Sequence, residues 1–129
     1  MSLPDSTGGG DPTLTTPGIV LVAAPDGAFR RSLQFALESA GFATDGSPRA
    51  TGAFASKAAG QSVCAVIDDR AIDDWRRAPE EFTRFGKPVV LVTDLIDGRA
   101  ALPNVTVVIK PFLGEPLIEA VNNAIAGTH

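Results

Sequence analysis

Apolar residues in this chain come in short, nearly unbroken runs rather than in alternation with polar ones. Ile19-Val20-Leu21-Val22-Ala23, Val63-Cys64-Ala65-Val66-Ile67, Val89-Val90-Leu91-Val92 and Val105-Thr106-Val107-Val108-Ile109 are the clearest. Runs of this length and β-branched character suit strands buried on both faces, as in a parallel sheet. The second run ends on Asp68, the third opens with Pro88 and ends on Thr93, and the fourth is followed by Lys110-Pro111. Phe42-Ala43-Thr44 predicts a further, shorter strand nearer a sheet edge.

Between the runs the period changes. Phe29, Leu33, Ala36, Leu37 and Ala40 fall on one face of a helix, with Arg30, Arg31, Gln34 and Glu38 on the other. Asp26 is placed to cap its start and Gly41 to close its end. Ser47-Pro48 predicts a cap and first-turn proline for an Ala-rich helix reaching about Ala58. Asp69 to Lys87 is the least regular segment. Pro79 restricts any helix there to a short one starting between Ala78 and Glu81, anchored by Phe82 and Phe85. Asp94 to Pro103 has room for about two helical turns. Leu117, Val121, Ala124 and Ile125 predict a closing amphipathic helix. Strand and helix thus alternate, and the expected fold class is α/β: a flavodoxin-like, doubly wound five-stranded parallel sheet, order 2-1-3-4-5, with helices on both faces.

At 129 residues the chain is expected to hold one domain. Residues 1–18 carry Gly8-Gly9-Gly10, prolines and threonines with little to bury, and read as a disordered leader, compatible in part with an expression remnant. The folded domain is expected over residues 19–127. A net charge of -4 argues against nucleic acid as a direct partner. No run is long enough to cross a bilayer and no signal peptide is recognised, so the expected compartment is the cytoplasm. One Cys, inside a buried strand, and one His leave no disulfide and no zinc site.

Asp68, Thr93 and Lys110 each follow an apolar run, which places them at the same edge of the sheet. A carboxylate there can attack a phosphoryl group while a hydroxyl and an ammonium neutralise its oxygens. In this the chain resembles the receiver domains of two-component response regulators. Ala65-Val66-Ile67-Asp68 resembles the phospho-acceptor strand, Pro88 to Thr93 the switch-hydroxyl strand, Lys110-Pro111-Phe112 the Lys-Pro-Phe signature, and Phe29-Arg30-Arg31 the first-helix pattern. The resemblance covers roughly Ile19 to Ala126. It implies Asp68 as phospho-acceptor, Thr93 as switch hydroxyl, Lys110 as partner of the phosphoryl group and of Asp68, and Mg²⁺ as the cation where phosphorylation is retained.

The chain departs from the family at several of these places. The acidic pair that would hold Mg²⁺ with Asp68 maps onto Ala24 and Pro25, neither of which has a side-chain oxygen. Asp26 is a weak substitute ligand, with helix capping as its plainer role. Asp94 puts a carboxylate where receivers carry a small residue, and it would repel an incoming phosphoryl group. Asp69 to Trp75 replaces the usual proline-containing loop, and Val107 replaces an aromatic.

Each candidate also has a plainer role. Asp68 reads as nucleophile or as a carboxylate inherited with the fold and salt-bridged to Lys110. Thr93 reads as switch or as a strand-end hydroxyl satisfying backbone. Asp69, Asp73 and Asp74 read as a solvated acidic loop rather than a replacement metal cluster, and Trp75 as a packing residue. Arg70 is a candidate fixed cation facing Asp94 or Asp68. Three functions follow: a degenerate receiver acting through a protein partner, a conventional phospho-accepting regulator, and a flavodoxin-like mononucleotide binder. The loop Ala24-Pro25-Asp26-Gly27 lacks the phosphate-cradling chemistry the last would need. The expected partner is a protein, a histidine kinase or a downstream signalling protein, with a homodimer as a further expectation. No enzymatic activity is expected.

Overall fold

The computed structural model describes residues 18–93, 105–109 and 115–127. In chain order these form β1 (Ile19–Ala23), α1 (Gly27–Ser39), β2 (Ala43–Ser47), α2 (Ala50–Phe54), β3 (Ser62–Asp68), α3 (Ala78–Phe85), β4 (Val89–Thr93), β5 (Val105–Ile109) and α4 (Glu115–Ala126). Short 3₁₀ turns at Lys57–Gln61 and Asp69–Ala71 flank β3. The strands make one five-stranded sheet in the order β2-β1-β3-β4-β5, every pairing parallel. This is the expected doubly wound arrangement, and β3 is its central strand.

Side chains alternate across a strand, so a strand apolar at every position feeds two cores. On one face Val20, Val22, Ala24, Cys64, Val66, Val90, Val92 and Val108 pack against Leu33 and Leu37 of α1 and Leu117 and Val121 of α4. On the other, Leu21, Ala23, Ala65, Ile67, Val89 and Leu91 pack against Ala50 and Ala53 of α2 and Phe82 of α3. Both faces are covered by helices, which is why no polar alternation is seen in the sequence.

Helix α1 begins where Asp26 accepts hydrogen bonds from the backbone N–H groups of Ala28 at 2.9 Å and Phe29 at 3.4 Å. It ends before Gly41, whose φ of 100° a side chain would resist. Helix α3 opens at Ala78 with Pro79 in its first turn and stops at Gly86, φ 74°. The helix expected from Ser47 differs. β2 runs through Ser47, which pairs with Ala23 and accepts a hydrogen bond from Ala24 N–H at 3.0 Å. Sheet pairing therefore claims the residue that local sequence offered as a cap. α2 starts only at Ala50, Arg49 gives no side-chain cap, and the helix lasts five residues. The segment 94–104 and nearly all of the predicted leader lie outside the described residues.

Candidate functional site

The C-terminal ends of β1, β3 and β4 form the expected edge. At the end of β1, Ala24 is fully buried and belongs to the core beneath α1 and α4. Its N–H donates to Ser47, and its carbonyl accepts a hydrogen bond from Arg30 Nη1 at 2.7 Å. Arg30 comes one turn into α1, so the helix brings a guanidinium back onto the strand end that precedes it. Asp26 is spent on capping α1. Pro25 is exposed.

At the end of β3 two aspartates follow one another, and both are buried, Asp68 at 3% exposure and Asp69 at 7%. They do different things. The Asp68 carboxylate accepts a hydrogen bond from Arg70 N–H at 3.1 Å and so caps the 3₁₀ turn Asp69–Ala71. The Asp69 carboxylate accepts the hydroxyl of Thr93 at 2.8 Å, a fully buried contact. The register sets Asp68 opposite Val92, with Thr93 the next residue along β4 and Asp69 the first residue of the 3₁₀ turn. At this edge the Thr93 hydroxyl thus meets the carboxylate of Asp69, the residue that follows Asp68.

Arg70 is exposed. Its carbonyl accepts from Arg49 Nη1 at 3.4 Å, and the same guanidinium nitrogen is paired with Asp73 at 3.0 Å. Arg49 thereby ties the turn before α2 to the loop after β3. Asp74 bonds the backbone N–H of Arg76 at 3.0 Å and its guanidinium at 3.4 Å. Asp73 and Asp74 thus face arginines, not a common centre. Trp75 is half-buried against the core on the α2 and α3 side, the packing role expected of it. Lys110 and Asp94 lie outside the described residues.

A hard divalent cation such as Mg²⁺ wants near-octahedral oxygen ligation, with one or two carboxylates among its ligands. The end of β1 does not meet that demand. Ala24 and Pro25 offer no side-chain oxygen, and Asp26 caps its helix. Among the described residues no group of three His, Cys, Asp or Glu side chains is placed to hold a metal ion. Cys64 is buried in β3, and burial pushes its thiol pKa up to about 12. It therefore stays protonated and unreactive at neutral pH.

No protein-family model matches the chain. The transcriptional regulator protein FixT of Rhizobium meliloti (strain 1021) is 31% identical over 111 residues, covering 82% of this chain and 91% of FixT. Among solved structures, full-length FixJ from B. japonicum matches with a TM-score of 0.70 and 28% identity over 87% of this chain. The chain spans only 59% of FixJ. A response regulator from Thermotoga maritima matches with a TM-score of 0.63, covering 84% of this chain and 97% of that one. Its identity of 18% makes this a likeness of fold alone.

Proposed function

Because this chain belongs to the receiver-domain family of two-component response regulators, we propose that it is a degenerate receiver, working by protein–protein interaction with Mg²⁺-dependent phosphorylation weakened or lost. The end of β1 carries this reading. Phosphoryl transfer to a carboxylate leans on a metal to offset developing charge, and Ala24 and Pro25 stand where the metal's acidic ligands would be. Asp26, the nearest substitute, is committed to Ala28 and Phe29.

The effect then passes through a protein partner, a histidine kinase or a downstream signalling protein. Like FixT, described as a transcriptional regulator, this chain would act on transcription, but at one remove. Its net charge of -4 gives no electrostatic basis for holding DNA. A conventional phospho-accepting regulator is the second reading, favoured by the buried Asp69–Thr93 contact, which keeps a carboxylate beside a hydroxyl at the right edge.

Intact mass after incubation with acetyl phosphate and Mg²⁺ separates the two. The expected outcome is no phosphate-sized gain, with partner binding unchanged by EDTA. A stoichiometric gain that EDTA abolishes would establish the conventional reading instead.

A further inference from the structure

We infer that Arg49 is a strap across the end of β1, and that it holds the loop after β3 in place without a metal. The inference deepens the degenerate-receiver reading and rests on it.

The topology sets the span. β1 lies between β2 and β3, and the pairings bring Ser47, Ala23 and Ile67 level at one edge of the sheet. Arg49 comes two residues after the end of β2, and Asp73 five after the end of β3. A contact between them spans β1, at the end where Ala24 and Pro25 stand. Strands two apart are separated by about 10 Å, a gap suited to a long side chain. The Arg49 Nη1 nitrogen reaches Asp73 Oδ1 at 3.0 Å and donates to the Arg70 carbonyl at 3.4 Å.

Helix α2 gives up a local contact for this. Arg49 stands at its N-cap, where Ser, Thr, Asp or Asn would accept a backbone N–H of the first turn. A guanidinium has donors only, so its side chain caps nothing in α2. Those donors turn instead to oxygens on the loop after β3.

A divalent cation shared by Asp68 and an acid after β1 would join the ends of those two strands. With Ala24 and Pro25 in place of the acids that join is absent, and the strap reaches the same loop from β2. Being part of the chain, it needs no ion to form. A protein partner reading this edge therefore meets the loop in one arrangement whatever the Mg²⁺ concentration. Both side chains of the pair are half exposed, so salt weakens the strap.

Amide exchange followed by NMR in EDTA tests the inference on the full chain. The loop reporters are Arg70 N–H, which donates to the Asp68 carboxylate, and Ile72 N–H, which donates to the Asp69 carbonyl. Arg49→Asn removes the strap and supplies a cap. Exchange at Arg70 and Ile72 is expected to quicken about two- to fivefold, the range a half-exposed ion pair provides, while Thr51 and Gly52 exchange more slowly. Asp73→Ala should quicken the same loop amides and leave Thr51 and Gly52 unchanged. The double variant should quicken the loop no further than Arg49→Asn does. About 1 M NaCl, which screens beyond some 3 Å, should quicken the loop in the unaltered chain but not in Arg49→Asn. Unchanged loop exchange in either single variant, or additive effects in the double, overturns the strap. Added Mg²⁺ should change none of these rates. Slowing of Arg70 and Ile72 by Mg²⁺ in the unaltered chain would overturn the degenerate reading, while the variants in EDTA decide the strap.

Discussion

Cys64 shows how strongly position sets chemistry at the scale of one residue. A thiol in the middle of a doubly covered strand has its ionised form penalised by burial, and its pKa rises from 9.0 to about 12. Disulfide reagents should leave the folded protein unmodified at pH 8 and label one thiol per chain in urea. Because the folded value is the higher one, the associated stability is complete below the unfolded pKa and is lost as pH climbs from about 9 toward about 12. Urea midpoints should fall over that window, and less steeply in Cys64→Ala. Asp26 makes the opposite point, a charged residue in the open with a backbone job. Asp26→Ala should cost about 1 kcal/mol and Asp26→Asn markedly less, both read from urea melts. Neither change should alter any response to Mg²⁺, which a ligand role for Asp26 would require.

At the scale of elements, the apolar runs were legible because a strand buried on both faces has almost no freedom of composition. β1 and β5 follow directly from their runs, as does α3 from Pro79 and the Phe82, Phe85 pair. The start of α2 was not legible. Ser47-Pro48 carries a strong local capping signal, yet the backbone of Ser47 finds better partners in β1. Tertiary pairing overrides a cap worth about 1 kcal/mol. The most buried anchor of α3 among its aromatics is Phe82, 2% exposed and edge-to-face with Phe54 at 5.8 Å between ring centres, while Phe85 packs on the same ring at 5.0 Å. Phe82→Ala should therefore destabilise the whole domain by about 3–5 kcal/mol in chemical denaturation. A smaller loss would mean that α3 collapses into the space left behind.

For the whole molecule, the sheet edge was readable and the side chain that Thr93 meets there was not. The βα alternation with the handedness rule favoured the strand order and located the edge. That Asp69 is the side chain bonded to Thr93 depends on the turn after β3, which no local pattern announces. The role of Arg30 escaped for a related reason. Its hydrogen bond to the Ala24 carbonyl depends on how α1 folds back over β1, and no spacing rule announces it.

The burial of Ala24 carries a consequence for the history of such a protein. A carboxylate restored at that position alone would enter the core with Pro25 still beside it and no second acid to share a cation. Burying a polar group without a compensating bond costs about 1–3 kcal/mol on protein scales, and a charge more. Ala24→Asp should accordingly lower the urea midpoint, and Mg²⁺ should not rescue it. Each return step toward metal-dependent signalling is then penalised before any benefit appears. On the degenerate reading, a single substitution at the end of β1 would therefore not restore metal-dependent chemistry.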